Sequence, residues 1–190
     1  MKKVLALCVT LLLGFLGAVV YVSATEEPAY EIVDTLGHVE IRRYVPTIKA
    51  SVPMSGRNSS FRQLAGFIFG GNDEEASIAM TAPVQIDLAK ADREMAFIMP
   101  SEYDWESLPR PNDPNVLLSQ VPERTVAVLR FSGRASGDMI EKQRASLELA
   151  LADAGLKPTG GWSLNQYDPP WIPGPVRRNE IWVGVDLPAE

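Results

Sequence analysis

One histidine, His38, and one cysteine, Cys8, are the whole supply of the two side chains that most often run chemistry near neutral pH. A catalytic histidine needs a nucleophile or an orienting carboxylate, and a zinc site needs several His, Cys or carboxylate ligands together. The sequence assembles neither around His38. It follows Gly37 in a turn-like Leu36-Gly37-His38, so it reads as an exposed turn residue, with ligation of a haem iron as its functional alternative. Cys8 lies between Leu7 and Val9, without the small preceding residue of a lipoprotein signal, and reads as an apolar thiol. The G-x-S-x-G, P-loop, G-x-G-x-x-G and C-x-x-C-H patterns are all absent. A binding protein is expected rather than an enzyme.

Three groups of residues could still hold or act on a ligand. Glu102, Asp104 and Glu106 alternate with Tyr103 and Trp105; paired acids can cleave glycosidic bonds, but the run reads first as a solvated loop. Met54, Met80, Met95 and Met99 fall in or beside expected strands, where methionine fills a core or adapts to a flat apolar ligand. Near the C-terminus Tyr167-Asp168-Pro169-Pro170-Trp171 leads to Arg177-Arg178-Asn179-Glu180-Ile181-Trp182. Arginines beside aromatics suit a planar ligand carrying carboxylates, or they pin the loop to neighbouring acids.

The elements that position these residues begin after an N-terminal segment that belongs to targeting. Lys2 and Lys3 precede an apolar run over residues 4–22, and Val22-Ser23-Ala24 offers a cleavage site. Residues 1–24 therefore read as a signal peptide or a membrane anchor, which places residues 25–190 outside the cytoplasm, in the periplasm or tethered to the inner membrane facing it. Removing residues 1–24 takes two lysines and no acids, moving the formal charge from −6 to −8. So acidic a chain has no electrostatic reason to bind nucleic acid. Residues 25–190 are enough for one domain with its own core and no disulfide.

Alternation and turn residues give a hairpin from strands over residues 30–35 and 39–44, then a strand over 48–54. A helix follows, with Ser60 and Gln63 as a capping box, Phe61, Leu64, Ala65 and Ile68 on one face, and Gly70-Gly71-Asn72 as its stop. A second helix opens at Ser136 or Asp138, turns Ile140, Leu147, Ala150, Leu151 and Ala154 inward, and ends at Gly155. Further strands are expected over residues 84–88, 94–99, 116–120, 125–131, 162–167 and 180–186, with residues 108–114 as a proline-rich linker. Val45-Pro46, a strand and Ser55-Gly56-Arg57 recur 76 to 77 residues later as Val121-Pro122, a strand and Ser132-Gly133-Arg134. An α+β fold of two strand-helix-strand-strand halves follows, paired about a pseudo-twofold axis into one curved antiparallel sheet.

Tyr30-Glu31-Ile32, Val39-Glu40-Ile41-Arg42-Arg43-Tyr44, Met80-Thr81-Ala82-Pro83-Val84, and Tyr167-Asp168-Pro169-Pro170 with Arg178-Asn179-Glu180-Ile181-Trp182 resemble the SOUL haem-binding family, in the same order along the chain. The resemblance implies a distorted antiparallel β-barrel of two similar halves with two flanking helices, and non-covalent binding of haem or a related tetrapyrrole. One branch of that family is thought to use an axial histidine directly before the tyrosine of its Glu-Ile-Arg-His-Tyr motif. Arg43 stands there in this chain, and arginine stays protonated. The other branch holds haem in an apolar groove, which by position implies Phe61, Leu64 and Ile68, with Met80, Arg177 and Arg178 as outlying contacts. The alternative ligand is another hydrophobic small molecule.

Overall fold

The computed structural model describes residues 25–88 and 93–187; the expected signal segment, with Cys8, lies outside them. In chain order the elements are β1 (Tyr30–Leu36), β2 (Val39–Tyr44), β3 (Thr47–Pro53), α1 (Arg57–Ile68), β4 (Val84–Asp87), β5 (Glu94–Ile98), β6 (Leu117–Val121), β7 (Arg124–Ser132), α2 (Gly137–Asp153), β8 (Pro158–Gln166) and β9 (Arg178–Val185). A short 3₁₀ turn, Gly174–Val176, precedes β9.

All nine strands join one antiparallel sheet in the order β1-β2-β7-β9-β8-β4-β5-β3-β6. The triplets β3-β5-β4 and β7-β9-β8 are built alike and meet where β4 pairs with β8, from Val84 opposite Gln166 to Asp87 opposite Ser163. Each half lends its leading strand to the other. β2 runs into β3 through Val45-Pro46 yet pairs with β7, and β6 runs into β7 through Val121-Pro122 yet pairs with β3. Proline cannot donate to a ladder and fixes φ, so each Val-Pro step releases the chain from one partner before it joins the next. The sheet curls into a half-barrel with β1 and β6 as its edges, an α+β distorted barrel flanked by two helices.

The two faces of the sheet bury different chemistry. On one side α1 contributes Leu64, Phe67 and Ile68, and α2 contributes Leu147 and Leu151, all packed into one core with Val39, Ile41, Phe97 and Ile181. Each such large apolar side chain contributes roughly 1.5–3 kcal/mol by leaving water. Strand alternation sends the other set, Tyr44, Val126, Val128 and Trp182, to a smaller cluster on the opposite face, covered by Tyr167.

Several boundaries differ from the sequence expectation. α1 starts at Arg57, capped by Gly56 rather than by Ser60. Ser60 is fully buried, donates to the Pro53 carbonyl at 3.1 Å and accepts from Ser55 N–H at 3.2 Å, so it ties the helix to β3 instead of opening it. α2 does open at Ser136, whose hydroxyl accepts from Met139 N–H, but Ala154 lies past its end and is exposed. β8 starts at Pro158, four residues before the expected Trp162, because Gly160 and Gly161 carry the strand through register shifts at positive φ. Residues 108–114 are no free linker: Leu108 is in the core, and Arg110 and Asn112 exchange backbone hydrogen bonds with Asp73 and Gly71.

Candidate functional site

The arginine- and aromatic-rich segments converge on Glu180. Alternation along β9 places Arg178, Glu180 and Trp182 on the outer face, and β2 sends Arg42 and Tyr44 to the same side. Glu180, with no solvent exposure, accepts from Arg42 at 3.0 and 3.4 Å, Arg178 at 3.0 and 2.9 Å, Tyr167 at 2.8 Å and the Trp182 indole at 2.7 Å. Burial alone would raise its pKa, but Arg42, Trp182 and Arg178 outweigh it and hold the carboxyl below its ordinary value. Burial also works against the charge on Arg42; Glu180 and Tyr44 overcome it and push that guanidinium up. Arg178 stacks 3.6 Å from the Tyr167 ring centroid and reaches Glu27 at 2.9 Å. Every polar group here is paired, so the cluster is a structural lock and Arg178 is committed to it.

The other expected ligand residues are placed as follows. Leu64 and Ile68 are sealed in the core. Phe61 is half-buried, edge-on to Phe97 at 5.3 Å, and Met80 is 39% exposed. Arg177 donates to the carbonyls of Ile172 and Pro170 and so pins the proline-rich loop. His38 is exposed at the β1–β2 turn beside Gly37, whose φ is 64°. Arg43 is exposed and lies 3.7 Å from Glu31. Met95 and Met99 fill the core.

Residues that the sequence did not single out complete the α1 surface. The chain beyond α1 folds back on the helix end: Phe69 bridges Ser77, and Ile78 N–H donates to the Ile68 carbonyl at 2.8 Å. Asn72, fully buried, fixes this return through bonds to Phe67, Ala76 and Glu74. The result leaves Phe69 64% exposed, and Met80 follows three residues after Ser77. α1 also carries Arg57 and Arg62, exposed and outside the ion pairs of the described residues. Phe61, Phe69 and Met80 are thus apolar side chains with some exposure on α1 and its return, and Arg57 and Arg62 are exposed cations on the same helix.

The acidic loop is concave after all, since Tyr103, Asp104 and Trp105 line a cavity. Hydrogen bonds from Ser107 and from Glu106 N–H hold the Asp104 carboxyl below its ordinary pKa. A general acid needs the opposite shift.

Comparison with known proteins gives a consistent picture. A family model described as "SOUL heme-binding protein" matches residues 25–184. The mouse protein "Heme-binding protein 2" (Mus musculus) is 28% identical over 185 residues, covering 84% of this chain and 86% of its own. Its human counterpart (Homo sapiens) is 28% identical over 164 residues, covering 77% and 78%. The fold is shared with the C-terminal domain of EcmrR, at a TM-score of 0.56 and 14% identity over 83% of this chain and 98% of that one. It is shared also with a structure described as a hydrolase from Listeria innocua, at 0.55 and 10% identity over 87% and 95%.

Proposed function

The chain belongs to the SOUL haem-binding family, and from that premise we propose that it binds haem or a related tetrapyrrole non-covalently on the apolar surface formed by α1 and the return that follows it. The observation that carries this reading is the family match over nearly the whole described chain. The surface fits the group: Phe61, Phe69 and Met80 offer apolar contact to the macrocycle, and Arg57 and Arg62 offer cations for propionates. Arg177 and Arg178, both engaged elsewhere, take no part in this version of the site. Binding rests on apolar contact rather than on a histidine ligand, because Arg43 holds the motif position and His38 stands apart at a turn tip. When bound, haem supplies its own iron chemistry; the protein's residues bind and orient the ring. The basic start and apolar run over residues 2–22 support a location outside the cytoplasm.

Absorption titration with hemin tests the proposal. A saturable Soret shift is expected, and Phe69→Glu combined with Met80→Glu is expected to weaken it about tenfold, since two apolar contacts become charged. Unchanged affinity in that variant would place the ligand elsewhere.

A further inference from the structure

We propose that a second site, the cavity beside the start of β3 and the end of β6 paired with it, binds a hydrophobic organic cation. The cavity has a volume of about 790 Å³, within the range of small-molecule sites. Its rim carries Val45-Pro46 and Val121-Pro122, the two Val-Pro steps that occupy equivalent places in the halves. Because β2 and β6 cross over just before these steps, the two steps come together at one opening. Ile98 and Met99 supply apolar wall from β5 and its end, and Tyr103 and Trp105 add aromatic surface.

The walls are held before any ligand arrives. Residue 26 is fixed by a bridge to Thr81 and by Ala82 N–H donating to its carbonyl at 2.8 Å, so the Met80–Val84 motif clamps the segment that closes one side. Arg110 donates to the Trp105 carbonyl at 2.6 Å and lies 4.7 Å from the ring centroid, which fixes the indole from outside the lining.

Charge decides the class of ligand. Among the described residues the lining holds Glu26, Glu27 and Asp104 and no lysine, arginine or histidine. Arg178 neutralises Glu27. Glu26 accepts only from the Ser101 backbone N–H, at 2.7 Å, and Asp104 only from neutral groups of its own loop. Two exposed carboxylates, Glu26 and Asp104, thus stand in the lining of an apolar and aromatic space, and the nearby Arg110 is turned to the Trp105 ring. Aromatic faces attract cations, and a low-dielectric wall strengthens the pull of nearby carboxylates. The same charges repel a dicarboxylate such as haem, so this site and the α1 surface select opposite ligands.

Rhodamine 6G and fluorescein share a xanthene ring and differ in charge, cationic against anionic, so fluorescence anisotropy with the purified full chain separates charge from shape. Saturable binding of rhodamine 6G without binding of fluorescein is expected. Glu26→Gln with Asp104→Asn keeps each hydrogen-bond acceptor and is expected to weaken rhodamine binding about tenfold while leaving the hemin titration unchanged. Equal binding of both dyes, no binding of either, or full rhodamine affinity in the double variant would overturn the proposal. So would competition between hemin and rhodamine at equal strength. Should the double variant fail to fold, the salt dependence of the native chain decides: rhodamine binding must weaken as salt rises.

Discussion

Glu180, itself without solvent exposure, balances two arginines, the buried Arg42 and the partly exposed Arg178. Glu180→Ala leaves Arg42 buried beside a weaker set of partners and is expected to cost about 3–5 kcal/mol in urea unfolding. The pH dependence follows from its depressed pKa. A carboxylate held below its unfolded value stabilises the fold above about pH 4.3, and that stability is lost as pH falls through the native pKa. Glu180→Gln should therefore flatten the acid limb of a stability-pH profile; an unchanged limb would assign acid unfolding to other groups. His38→Ala is expected to leave hemin binding unchanged, and loss of the Soret shift would make His38 the ligand. The motif around Glu180 is visible in the sequence, and alternation assigns Arg178, Glu180 and Trp182 to one face. Its purpose is not visible, because the partner Arg42 lies 138 positions away and reaches Glu180 across β7.

At the scale of the element, α1 and its return form a unit whose geometry depends on Asn72. Asn72→Ala would orphan the Phe67 and Ala76 carbonyls and the Ala76 N–H at once, an expected loss of about 3 kcal/mol by chemical denaturation, together with weaker hemin binding. Unaltered stability would show that the helix end holds without it. Gly71 has no latitude either, because a Cβ there would sit 2.6 Å from the Gly66 carbonyl oxygen. The apolar period of α1 was legible, and Leu64 and Ile68 are inward. That same period could not separate residues facing the core from residues facing a ligand: Leu64 and Ile68 are enclosed, while Phe69, outside the pattern, is exposed. The start of the helix differs from the capping-box expectation because a serine three residues before a glutamine also occurs where the serine binds back to a strand.

For the whole molecule, the strand-helix-strand-strand order of the two halves and their single antiparallel sheet could be read from spacing, since turn residues and periodicity are local. The exchange of β2 and β6 between halves could not, because antiparallel neighbours may be adjacent or distant in sequence. That exchange brings the two Val-Pro steps to the rim of one cavity, which Glu26, Glu27 and Asp104 also line, while the α1 surface proposed for haem belongs to one half. The fold is shared with EcmrR and the Listeria innocua structure, so ligand choice rests with the residues that line each site. The most direct test of the central claim is hemin titration of the purified protein, read in the Soret band, against free hemin and a non-binding protein. The account predicts a saturable shift with one hemin per chain. Absorption changes that track the hemin-only and control-protein titrations without saturation would contradict it.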